Sequence, residues 1–286
     1  MRRIAPTLLL LLAACTTATT TPPASSPVTT SATEAPALPC NAGHTILNAT
    51  LYVQNAAEYR AAALQIYANA RRALDDALAD PTRTGALEET ANDPAQPPAI
   101  VVDADETVLD NTPFEARVIR AGTTYDAAMW KAWTAEGVAG AIPGALSFLN
   151  YAKSRGVTVF YVTNRDEDER TGTRRNLEQL GFPLDPNVDT LLLRVNGVSD
   201  KSPRRAQVAA SYRLLLLVGD DLNDFTNMRE KSWRERDELV TRMESWWGTR
   251  WFVLPNPMYG SWENAAIGSG GQPCERADRK VNVLKP

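Results

Sequence analysis

The sequence predicts an α/β protein: a mostly parallel sheet with helices on both faces. Three observations lead there. Short apolar runs recur at 100–102, 157–162, 190–193, 214–218 and 251–254, each of strand length. Segments with helical spacing separate most of them, the alternation that builds parallel sheets. The residues just after the first, second and fourth runs are polar and rich in carboxylates, and sheets of this class bind ligands beyond the carboxyl ends of their strands.

The elements follow in order. From 47 to 78, Tyr52, Ala56, Tyr59, Ala63, Ile66, Tyr67, Ala70, Leu74 and Leu78 recur at helical spacing, predicting one long helix stopped by Asp80-Pro81. The Pro-rich stretch 94–98 is a loop that delivers the chain into the first strand. Pro143-Gly144 opens a helix to Arg155, and the second strand follows. A helix over 167–180 ends at Gly181. A short third strand precedes a helical stretch after Lys201, and the fourth and fifth strands complete the sheet. No internal repeat is visible.

The ends read differently. Arg2 and Arg3, an apolar run over 8–14 and Cys15 describe a signal peptide over 1–14, too short to span a membrane. Leu12-Ala13-Ala14-Cys15 resembles the bacterial lipobox, in which Cys15 becomes the acylated first residue. Residues 16–39 are Thr, Ser, Pro or Ala at 21 of 24 positions, so 15–39 is expected to be an acylated Cys and a disordered tether. The expected folded domain is 40–286. Thr16 is not the Asp associated with inner-membrane retention, which favours the outer membrane of the cell envelope. Cys40 and Cys274 frame the folded part and, in an oxidising compartment, either pair or stand as two thiols.

Composition excludes several chemistries. The 286 residues contain one histidine, His44, which leaves no set of imidazoles for a zinc hydrolase and a poor candidate for a Ser–His–Asp triad. A net charge of −4 gives no footprint for a nucleic-acid polymer. Chemistry therefore falls to carboxylates. The first strand runs into Asp103-Ala104-Asp105-Glu106-Thr107-Val108-Leu109-Asp110, the second into Thr163-Asn164-Arg165, and the fourth into Gly219-Asp220-Asp221-Leu222-Asn223-Asp224. Lys201 opens the helical stretch between them. Paired carboxylates after a buried strand are costly unless paired or metal-bound.

Asp103-x-Asp105-x-Thr107, Thr163, Lys201 and Gly219-Asp220-x-x-x-Asp224 resemble the four motifs of the haloacid dehalogenase superfamily. Within it, the segments 101–111 and 219–225 resemble the class C ("DDDD") acid phosphatases, lipoprotein enzymes of bacterial envelopes, over about 47–267. The resemblance implies a Rossmann-like haloacid dehalogenase fold with a small helical cap around 113–142. It also implies an aspartyl-phosphate mechanism dependent on Mg²⁺. Asp103 would be the nucleophile, and Asp105 the general acid and then base. Thr163, the Asn164 N–H and Lys201 would bind phosphate. Asp103, the Asp105 backbone carbonyl and Asp220 would ligate the metal, with Asp224 holding a water or Lys201. Thr107 is read as structural, Asp110, Asp221 and Arg165 receive no role, and the acidic run 166–169 is read as first-turn helix carboxylates.

An aromatic-rich stretch (Phe114, Tyr125, Trp130, Trp133) and Pro257-Met258-Tyr259 would rim the phosphate site. In nucleotidase-type relatives the positions matched by Trp130 and Tyr259 sandwich the base, whereas Trp133 reads as packing. The expected substrates are nucleoside 5′-monophosphates and aryl phosphates. Pairing with a second copy stays open. The alternatives are a non-catalytic binding or storage protein and a phosphotransferase.

Overall fold

Ala99, Ile100, Val101 and Val102 are all buried, which a strand achieves only in the middle of a sheet covered on both faces. The computed structural model describes residues 40, 42–89 and 93–285. The expected signal peptide, Cys15 anchor and tether lie outside the described residues.

The chain begins with helices α1 (Leu47–Asn55) and α2 (Ala57–Ala79), then β1 (Pro98–Val102), β2 (Leu109–Asp110), α3 (Thr112–Arg120), α4 (Ala127–Glu136), β3 (Gly140–Ala141) and α5 (Ala145–Ser154). It continues through β4 (Thr158–Asp166), α6 (Arg170–Leu180), β5 (Leu191–Arg194), α7 (Ser202–Ala209), β6 (Arg213–Gly219), α8 (Trp233–Arg242), β7 (Trp251–Val253), α9 (Ser261–Ile267) and α10 (Pro273–Asn282). The main sheet has the order β5-β4-β1-β6-β7, every neighbouring pair parallel. Ile100 sits opposite Val159 on one side and Leu216 on the other.

Strand parity divides the core, with one register shift where β6 passes Ala99 and Ile100 that puts Leu214 and Leu216 on opposite faces. Ile100, Val102, Val159, Tyr161, Leu216 and Val218 face α2 and α5, while Ala99, Val101, Phe160, Val162, Leu214 and Leu217 face α7 and the tryptophans near β7. The strand order reverses at β1, so its carboxyl end opens a crevice toward β4 and β6, the switch point where such sheets bind ligands.

Two features depart from expectation. The long helix breaks at Ala56, whose backbone is extended (φ −77°, ψ 125°). The break lets Val53 of α1 and Tyr59 of α2 pack together on Met258, while α2 runs on against the sheet with a small-residue face of Ala63, Ala70, Ala73 and Ala77. A two-stranded antiparallel ladder, β2–β3, closes the base of the segment carrying α3 and α4. Pairings this short carry little sequence signal.

Tyr67 ties α2 to the site: its hydroxyl donates to the Thr107 carbonyl at 2.6 Å. Gly144 (φ +92°) sits where a Cβ would press on the Tyr67 ring, so glycine keeps this contact open. Cys40 and Cys274 form a disulfide, tying the start of the described chain to α10. Among the described residues no helix is long and apolar enough to cross a membrane.

Candidate active site

The carboxyl end of β1 delivers Asp103, whose backbone N–H donates to the Val218 carbonyl at 2.9 Å. The sheet thus fixes its position relative to β6. Lys201, just before α7, places its ammonium between Asp103 and Asp224, the latter at 2.6 Å. Asp103, Lys201 and Asp224 are all buried, at 7%, 4% and 5% exposure. Asp220 follows β6 and accepts a hydrogen bond from Asn256 Nδ2 at 2.8 Å. Asp224 Oδ2 receives the N–H groups of Asp220 and Asp221 at 3.0 and 2.9 Å. Gly219 permits that turn, because any Cβ there would collide with the Asp224 carboxylate.

Carboxyl oxygens of Asp103, Asp220 and Asp224 all lie within 4.8 Å of one another. Burial pushes Asp103 up to about 7, with Lys201 pulling the other way and Asp224 and Asp105 adding to the rise. Asp220 is raised well above the ordinary carboxylate range by burial, then by Asp224 and Asp103. Burial alone would depress the Lys201 ammonium, but the two carboxylates outweigh it and hold it protonated. Three carboxyls share one cation, so the cluster is short of positive charge. An all-oxygen donor set with that deficit fits a hard divalent cation.

Asp105 points elsewhere. Its carboxylate is gripped by Arg165, whose Nε and Nη2 donate at 3.0 and 2.7 Å, and it also receives Asn111 Nδ2 at 2.9 Å. The Asp105 side chain thus lies outside the carboxyl cluster. Thr163 Oγ1 approaches the same carboxylate at 3.4 Å. Asn164 Oδ1 accepts from Arg204 at 2.7 Å, and Arg204 also holds the Thr163 carbonyl. The end of β4 is therefore braced from α7.

Asp103, Asp105, Asn164, Lys201, Asp220 and Asp224 line one cavity of about 690 Å³, together with Trp130 and Tyr259. Phe114 meets Trp130 edge-on at 5.0 Å. Trp133 is core, its indole N–H donating to Asn111 at 2.8 Å, as its helical spacing suggested. His44 is exposed and does not line the cavity.

A family model described as HAD superfamily, subfamily IIIB (Acid phosphatase), matches residues 14–262. The chain belongs to this acid phosphatase family. It is also similar to the class C acid phosphatase from Bacillus anthracis, at 32% identity over 86% of this chain and 99% of that one, with a TM-score of 0.76. The tungstate-bound form of that protein gives 33% identity and the same TM-score. Acid phosphatase 1 of Solanum lycopersicum is 29% identical over 166 residues, so the chain spans 57% of that curated relative's length.

As a member of the acid phosphatase family, the chain shows supports that its motifs did not announce. Arg165, 2% exposed, fixes Asp105 from a neighbouring strand. The available signal was its parity: Thr163 and Arg165, two residues apart on β4, share one face. Asn256 orients Asp220. Asp221, left without a role by sequence, accepts from Asn223 and Ser261 and lies 3.6 Å from Arg236, joining the loop after β6 to α8 and α9. Asp110, one residue before the N-cap of α3, accepts the Thr112 N–H at 2.9 Å. Asp166 and Glu169 form a capping box ahead of α6, as their first-turn position implied.

Proposed function

We propose that the protein is a Mg²⁺-dependent phosphomonoesterase of the bacterial cell envelope working through an aspartyl-phosphate on Asp103. The observation that carries this is the buried Asp103–Lys201–Asp224 array beside Asp220 at the sheet's switch point. Asp103, Asp220 and the Asp105 carbonyl would hold Mg²⁺, with Asp224 holding a water or Lys201; the ion when bound neutralises charge on the phosphoryl group.

Asp103 attacks phosphorus in line, the P–O bond to the alcohol breaks, and protonated Asp105 gives its proton to the leaving oxygen. The bidentate Arg165 contact suits the carboxylate that this transfer leaves behind. That carboxylate then takes a proton from water, which attacks the aspartyl-phosphate and releases inorganic phosphate. Thr163, the Asn164 N–H and Lys201 bind the phosphoryl oxygens. The need for protonated Asp105 gives an acidic optimum.

Trp130 and Tyr259 would clamp aromatic leaving groups by stacking, favouring nucleoside 5′-monophosphates and aryl phosphates. Acylation of Cys15 would anchor the protein, with the outer membrane as its place. The test is hydrolysis of p-nitrophenyl phosphate and a nucleotide panel by the purified protein, with and without chelator. Metal-dependent phosphate release is expected. Activity that survives chelation contradicts the Mg²⁺ role, and product appearing on an added alcohol instead of water indicates phosphotransfer.

A further inference from the structure

Glu115 is a carboxyl without a donor. It sits on α3 beside Phe114, on the face that also buries Val118 and Ile119, where an apolar residue would be the default. It is 7% exposed. The other buried carboxyls, Asp103, Glu106, Glu169 and Asp224, each accept a hydrogen bond, from Lys201, Asn111, Asp166 and Lys201 respectively. Among the described residues the Glu115 carboxyl has no hydrogen-bond or ion-pair partner, and burial alone pushes it up to about 7. Its oxygens are not among the sealed polar atoms that lack a partner, so they reach the cavity, and what enters there supplies the donor that the protein does not.

Its location says what that is. Glu115 lines the same cavity as Asp103, Asp105, Tyr125 and Trp130. Of the cations lining this cavity, Arg165 is engaged with Asp105, Lys201 with Asp103 and Asp224, and Arg276 and Lys280 with Glu263, while Arg229 makes no ion pair among the described residues; none of them pairs with Glu115. The missing donor therefore belongs to whatever enters the cavity with its phosphate at Asp103 and its ring among the aromatics. Resting on the phosphomonoesterase reading, we propose that Glu115 is a specificity residue whose carboxyl receives hydroxyl hydrogen bonds from the alcohol portion of the substrate. It selects phosphomonoesters whose leaving alcohol carries further hydroxyls close to the phosphate, as the ribose of a nucleoside 5′-monophosphate does. Near its titration point the carboxyl is largely neutral in acid, which suits a hydroxyl partner better than a fixed cation.

The test compares kcat/KM for adenosine 5′-monophosphate and for its 2′,3′-dideoxy analogue, which keeps the base and phosphate but lacks the donors. p-Nitrophenyl phosphate reports the phosphatase reaction itself. The full-length protein should prefer the ribonucleotide by about 10- to 100-fold, the span expected for a hydrogen bond to a buried carboxyl. Glu115→Leu should collapse that ratio toward one, chiefly through KM. Glu115→Gln, whose amide oxygen still accepts, should retain part of it. A ratio near one in the parent, or an unchanged ratio in both variants, overturns the proposal while leaving the phosphatase reading in place. If the parent hydrolyses none of the three, both fall.

Discussion

Asp220→Asn should make the metal-free protein more stable while abolishing catalysis. The Asp220 carboxyl lies within 4.8 Å of those of Asp103 and Asp224, and it accepts one hydrogen bond, from Asn256, that an amide oxygen can also accept. Two unit charges no more than 4.8 Å apart repel by about 3.5 kcal/mol or more at an effective dielectric of about 20. Lys201 offsets part of that, so removing the charge should stabilise the fold by about 1–3 kcal/mol. For a domain of this size that is a rise in Tm of about 3–10 °C. The pH dependence has a definite sign. The folded carboxyl is raised well above the 3.8 of a free one, so its penalty is absent below about pH 4, where both states are protonated, and grows as pH rises. Thermal melts in chelator should therefore show the variant's advantage at pH 7.5 and none near pH 4. Adding Mg²⁺ at pH 7.5 should raise the parent's Tm and leave the variant's nearly unchanged. A variant less stable than its parent in chelator at pH 7.5, or equally stabilised by Mg²⁺, would refute the reasoning.

Lys201→Met strands Asp103 and Asp224 without their cation; a loss of about 3–5 kcal/mol at neutral pH is expected, with little activity on p-nitrophenyl phosphate. That loss should shrink in acid, where Asp103, raised to about 7, is protonated; melts at two pH values check it. Trp130→Ala should raise KM for nucleotides about tenfold more than for small phosphates, since base stacking contributes about 1–3 kcal/mol, and equal effects would remove the clamp. Breaking the Cys40–Cys274 bond, which spans 234 residues, should cost about 2–4 kcal/mol, read as a lower Tm with reductant and no change in a Cys40→Ser, Cys274→Ser double variant.

The sheet was legible because its central strands are buried on both faces, so 100–102 and 214–218 read as unbroken apolar runs. The carboxylates were legible because motif spacing along one chain is local. What escaped was made by contacts across the fold. The Arg165 grip on Asp105 joins residues 60 apart in sequence, and Asn256 reaches back 36 residues to Asp220. Neither residue type is unusual where it stands. The break at Ala56 escaped because alanine favours helix, and it is the packing of Val53 and Tyr59 on Met258 that turns the chain. Glu115 escaped for the opposite reason: a Glu followed two residues later by Arg on a short helix looks solvated until its burial is seen.

The central claim is that Asp103 carries the phosphoryl group between alcohol and water. Acid quenching during turnover of a labelled phosphomonoester, followed by peptide mapping, tests it most directly. The expected result is a base-labile phosphoryl group on Asp103 itself, absent in a folded Asp103→Asn variant that is also inactive. Turnover that continues in that variant, or a phosphoryl label on another residue, would contradict it.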